Sequence, residues 1–195
     1  MDRIIRPVGK PARTSLAGYS LLETMITISL LAVLVAISAP SLAGFLLKNE
    51  LSTTTNALFG SLSFARTHAI THQQIVHICQ LDSSASTTCS DNYNSRRDWS
   101  KGWLVFADLN NNNQLDETDN LLRTVQMKTS ASVVFNQRGR LRFFPSGSSR
   151  SAGYYLCHEN LEEVRHVYLL YTGRARVDKR LSREQREICL QAKQS

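Results

Sequence analysis

The sequence predicts an α+β fold in which one long N-terminal helix packs on antiparallel β-sheets, and three observations predict it. From Thr24 to Leu47 no residue is charged. Beyond that run, Leu51, Leu58, Leu62, Ala65 and Ala69 recur at helical spacings of three, four and seven. After His72 the apolar period shortens to two and the segments to a few residues each, as strands do.

The uncharged run comes first. At about 1.5 Å per residue it extends roughly 36 Å, enough for a single helix to cross a hydrocarbon core of about 30 Å. Arg3, Arg6, Lys10 and Arg13 precede it against Asp2 alone, which holds the N-terminus in the cytoplasm and sends everything after Lys48 outward. Glu23 stands at the start of this apolar span, where an unpaired carboxylate costs on the order of several kcal/mol. Cleavage after Gly18 would free the α-amino group of Tyr19 to neutralise Glu23 of a neighbouring copy. An uncleaved signal anchor with Glu23 near the interface is the plainer reading. Gly18, Tyr19, Glu23 and Pro40 together resemble the class III signal of type IV pilins and pseudopilins, with a leader of 18 residues that is long for that group and Tyr19 in place of the usual Phe.

The helix is expected to continue past the membrane surface, with Glu50, Thr54, Ser61 and Arg66 on faces other than the apolar stripe. Pro40 removes one of its backbone hydrogen bonds. His68 and His72 sit at i, i+4, but no third ligand is in view, so no metal is expected.

Domain organisation follows from length. Residues 1–18 are expected as a cleaved leader, 19–47 as the membrane-spanning half of the helix, and 48–195 as one exported globular domain of ordinary size. Cys79, Cys89, Cys157 and Cys189 are an even set in an oxidising compartment, and disulfides are the default there. Three pairings are possible; locality pairs Cys79 with Cys89 and Cys157 with Cys189. The formal charge of +7 divides unevenly. Without the leader it is +4, and residues 136–195 carry twelve Lys/Arg against six Asp/Glu. That asymmetry points to a polyanionic partner, and a merely solvated surface is the equal alternative.

Strands are expected at Gln74–Cys79, Trp103–Ala107, Leu121–Met127, Val133–Phe135, Leu141–Phe144, Tyr154–Cys157 and Val164–Tyr171. Ser83–Lys101 reads as a polar loop. Asp108–Asp119 looks like a calcium loop with oxygen side chains at positions 1, 3, 5, 9 and 12. It departs from that pattern with Asn113 in place of the turn Gly and Asp119 in place of the bidentate Glu, so a polar hairpin connection is the expected reading. Pro145–Gly153 is expected as an exposed basic loop. Ser182–Gln185 fits a capping box for a short final helix.

Nothing in this inventory carries catalysis: there is no G-x-S-x-G, H-E-x-x-H, P-loop or dinucleotide fingerprint. His77, His158 and His166 read as satisfied or solvent-facing. No enzyme and no cofactor are expected.

Over nearly the whole chain after Gly18 a second likeness holds. Cys79, Cys89, Trp99, Gly102-Trp103-Leu104-Val105-Phe106-Ala107-Asp108, Asn110, Leu121-Leu122-Arg123, Gly139, Cys157, Gly173-Arg174-Ala175-Arg176 and Cys189 resemble the FimT/GspH family of pilin-like proteins. The resemblance implies the type IV pilin fold and prepilin peptidase, the inner membrane and other pilins as partners. It places a single-pass anchor in the inner membrane and the domain in the periplasm, then in the pilus after assembly. One branch of that family sits in the pseudopilus of type II secretion; the other comprises minor pilins, some of which bind double-stranded DNA during natural transformation. The Gly-Arg-x-Arg element at Gly173 to Arg176 is similar to the DNA-binding members. Arg174 and Arg176 on one side of a strand would stand about 7 Å apart, near the spacing of successive phosphates, with Lys179 and Arg180 extending the patch. Arg138, Arg140, Arg142 and Arg150 are further candidates for that face. The plainer reading pairs Arg174 and Arg176 with Glu159, Glu162, Glu163 or Asp178. Two functions follow: a DNA-binding minor pilin, or a structural minor pilin or type II pseudopilin that primes or caps the filament.

Overall fold

The computed structural model describes residues 18–83, 87–90, 98–179, 187 and 189. Its elements run α1 (Leu21–His72), β1 (Ile75–Gln80), β2 (Gly102–Asp108), β3 (Asn120–Gln126), β4 (Ser132–Phe135), β5 (Leu141–Phe143), β6 (Ala152–Cys157), β7 (Arg165–Leu169) and β8 (Ala175–Asp178). Leader residues 1–17, Arg180 and the Ser182–Gln185 cap lie outside the described residues. The chain divides into two compact units between Leu42 and Ala43.

In the first unit α1 starts at an N-cap, in which the Glu23 N–H donates to Ser20 Oγ at 3.3 Å. The described side chains here are all exposed, including Leu22, Met25, Ile28, Leu31, Leu34 and Ile37. Water does not stabilise so continuous an apolar surface. No single helix among the described residues is long and apolar enough to cross a membrane; Leu21–Ile37 and Leu42–His72 reach the required length and composition only together. The interval between them contains Pro40, which lacks the N–H an unbroken helix uses.

In the second unit α1 buries its stripe. Leu51, Leu58, Leu62, Ala65 and Ala69 are wholly inaccessible. The buried arc is wider than the apolar pattern, for Thr54 and Ser61, expected on other faces, are buried too. Their hydroxyls donate to the carbonyls of Glu50 and Ala57 one turn back, so neither hydroxyl is stranded.

The strands form two antiparallel four-stranded sheets, ordered β3-β2-β1-β5 and β4-β6-β7-β8. Alternation gives each an inner face. Val76, Ile78, Trp103, Val105, Leu141 and Phe143 from the first sheet join Val133, Phe135, Tyr154, Leu156, Val167 and Leu169 from the second in one core with the helix stripe. Trp99 from the loop before β2 completes it, its ring 5.2 Å from Phe135 and 5.0 Å from Tyr154. Each outer face carries a smaller cluster around a cystine. Cys79 and Cys89 are bonded beside Leu104 and Phe106, and Cys157 and Cys189 beside Val134 and Val164.

Strand order departs from chain order. The chain leaves the second sheet after β4, adds β5 to the edge of the first beside β1, and returns as β6. The return segment is not the exposed loop expected at Pro145–Gly153. Gly147 and Ser149 are buried, and Ser149 is bridged to Phe143, with its N–H donating to the Tyr171 carbonyl at 3.0 Å. At Gly147 the segment lies against Arg66 and Ile70 of α1 on one side and Gly173 on the other.

Glu50 ties α1 to the β3–β4 connection. Its carboxylate accepts from Thr129 Oγ1 at 2.6 Å and from the Ser130 N–H at 2.7 Å, and the Ser130 hydroxyl lies 2.9 Å from His158 Nε2. These bonds, Thr129 first, hold the Glu50 carboxyl below the usual glutamate range despite the opposing effect of burial.

Candidate functional site

Gly18 and Tyr19 are exposed ahead of α1, and Glu23 is exposed in its first turn. The basic residues separate into two groups.

The first group surrounds Gly173. Arg174 lies in the turn ahead of β8 rather than in a strand with Arg176, because the Leu170 N–H donates to the Arg174 carbonyl and closes the β7–β8 hairpin there. Gly173 has φ +72°, and a Cβ there would collide with the Gly147 carbonyl oxygen, so only glycine fits. Arg176 sits in β8, the edge strand, opposite Tyr168. Both arginines are exposed, as is Lys179 just beyond the strand.

Sequence reasoning left Arg66 on a face other than the apolar stripe, with no role. In the fold its Nε donates to the carbonyls of Gly147 and Thr172, at 3.2 Å each, and so braces the turn from behind. Arg66, Arg174 and Arg176 line one shallow cleft of about 300 Å³. The alternative pairing of Arg174 and Arg176 with acidic neighbours is absent among the described residues, where Glu163 pairs with Arg165. The exposed guanidinium groups of Arg174 and Arg176, with Arg66 behind them in the same cleft, can hold oxygen anions.

The second group lies on the outer face of the first sheet. Arg140, Arg142 and Arg150 line a cleft of about 530 Å³ with His77, away from the residues that line the Gly173 cleft. His77, expected as an ordinary histidine, is buried with Nε2 3.1 Å from Asp108 Oδ2 and its ring stacked on Phe106. Burial pushes its imidazole down to about 4; Asp108 opposes that shift and Arg140 and Arg142 add to it. Arg138 is exposed and contributes its carbonyl to Arg150 Nη2.

The calcium-like loop folds on itself. Asp108 turns toward His77 and accepts from the Asn113 N–H, Asp119 accepts from the N–H groups of Leu109 and Asp116, and Asp116 accepts from Asn110 and Thr118. Those bonds depress the Asp116 carboxyl, Thr118 contributing most. His68 and His72 stack at 4.1 Å, and no group of three metal-ligating side chains occurs among the described residues.

Residues 54–173 match the model of the family described as type II transport protein GspH, which is more than half of the chain. The chain belongs to the GspH family. Two crystal structures of the type IV minor pilin FimU from Pseudomonas aeruginosa are similar to it. One is 17% identical with a TM-score of 0.51, over 69% of this chain and 90% of that one; the other is 16% identical with a TM-score of 0.49, over 65% and 91%. No curated protein matches the chain. The GspH-family chain therefore has the type IV pilin fold, a long N-terminal helix against antiparallel sheets.

Proposed function

We propose that this chain is a minor pilin of a type IV pilus that binds double-stranded DNA through phosphate contacts at the Gly173 cleft during DNA uptake. The observation that carries the reading is the convergence of Arg66, Arg174 and Arg176 on one open cleft with no acidic partner for Arg174 or Arg176 among the described residues. Phosphate contacts of this kind give affinity without sequence reading. Lys179 lengthens the track; Arg180, next in the sequence, lies outside the described residues.

The rest of the chain serves delivery. The leader is removed after Gly18 by prepilin peptidase, the apolar half of α1 anchors the protein in the inner membrane with the domain in the periplasm, and the Tyr19 amino group neutralises Glu23 of a neighbouring pilin. The two bridges suit an oxidising compartment. A second reading, a structural minor pilin or type II pseudopilin, is favoured by the description of the matching family.

Fluorescence anisotropy of labelled duplexes against the full chain in detergent micelles separates the two. The proposal expects nearly equal affinity for unrelated sequences and steep loss with added salt. No binding near about 50 mM salt, where electrostatic affinity is strong, would leave the structural reading in its place.

A further inference from the structure

We infer that the cleft on the outer face of the first sheet binds a compact oxyanion, a phosphate group carried by a nucleotide or free as inorganic phosphate, between the guanidinium groups of Arg140, Arg142 and Arg150. Arg140 and Arg142 flank Leu141, whose side chain is in the core, so alternation turns both outward, and Arg142 stands opposite His77 in the β1–β5 register. Arg150 joins them from the return segment, its Nη2 donating to the carbonyls of Arg138 at 2.9 Å and Arg140 at 2.8 Å. Arg142 is fixed by Asn113 Oδ1 at 3.1 Å and lies 4.6 Å over the Phe144 ring. Like charges held together repel one another; Asp108, bonded to His77, does not itself line the cleft.

One buried group points the same way. Arg150 lines the cleft, and its Nε is buried and without a partner. Buried polar atoms without partners are uncommon, and a phosphate offers several acceptor oxygens. About 530 Å³ falls within the range of small-molecule sites, room for a phosphorylated small molecule and too little for the width of a duplex. The site is independent of the Gly173 cleft.

Isothermal titration of the full chain in detergent micelles with inorganic phosphate, adenosine 5′-monophosphate and adenosine tests this. Phosphate and the monophosphate should bind and adenosine should not. A tighter monophosphate assigns a nucleotide, and equal affinities assign inorganic phosphate. Arg140→Gln with Arg142→Gln should weaken binding about tenfold or more, whereas Arg174→Gln with Arg176→Gln should leave it unchanged. Should the double variant not fold, Arg142→Gln alone, at an exposed position, should still weaken binding. Absence of phosphate binding to the parent, equal binding of adenosine, or full binding by a folded Arg142 variant overturns the inference.

Discussion

At the Gly173 turn, arginines stand in the open on the edge of the second sheet, with Arg66 bonded to two carbonyls behind them. On the outer face of the first sheet, arginines gather about a buried His77–Asp108 pair in a larger cavity. Both clefts are rich in arginine, so charge alone cannot separate their ligands. Size and setting do: an exposed edge suits an extended polyanion whose phosphates continue past the contact, and a larger cleft on a sheet face beside a buried pair suits one compact anion.

The largest effect expected concerns the frame rather than either cleft. Loss of the Cys157–Cys189 bridge, which closes a separation of 32 residues, should lower stability by about 3 to 4 kcal/mol in the chain-entropy model. Phosphate binding on the first sheet should persist in the folded fraction of Cys157→Ser/Cys189→Ser; its loss would mean that the two sheets do not hold their sites separately. Peptide mapping without reduction checks the pairing itself, and a bridge between the pairs would refute it.

Gly173→Ala comes next. A Cβ at positive φ and against the Gly147 oxygen should cost roughly 3 kcal/mol in urea unfolding and weaken duplex binding, with the phosphate cleft unaffected. An unchanged midpoint would mean that the turn does not need glycine.

Glu50→Ala removes the tie between α1 and the β3–β4 connection and should cost roughly 2 kcal/mol. Its pH dependence has a definite sign. The folded-state value of Glu50 is lowered, so its contribution is present above the ordinary glutamate value of about 4.3 and fades as pH falls through the folded value. His77 acts in a higher window: its folded value is depressed to about 4, so the unfolded chain takes up the proton first and stability falls from about pH 6.5 downward. Thermal melts should therefore show parent and Glu50→Ala declining in parallel between about pH 6.5 and 4.5 and converging only below that. Convergence already at pH 6 would contradict the assignment.

Periodicity made the helix stripe and the strand segments legible, because each element's apolar spacing is a local property of the chain. Several features were not legible because they depend on what the fold brings alongside. Thr54 and Ser61 look like surface residues until two sheets flank the helix. Gly147 looks like a loop residue until the return from β5 to β6 is squeezed beside Arg66. The Gly-Arg-x-Arg spacing marks Arg174 and Arg176, but their partner Arg66 lies more than a hundred positions earlier, and nothing local connects it to Thr172. His77 and Asp108 are joined only by the register of β1 on β2.

The most direct test is the salt dependence of duplex binding by Arg174→Gln/Arg176→Gln beside the parent. Stability should change by no more than about 0.5 kcal/mol, since both side chains are exposed. Binding to every sequence should weaken alike, and the log–log salt slope should become shallower by about two, one for each phosphate contact removed. A folded double variant that binds duplex with the parent's affinity and slope would contradict the assignment of DNA binding to the Gly173 cleft.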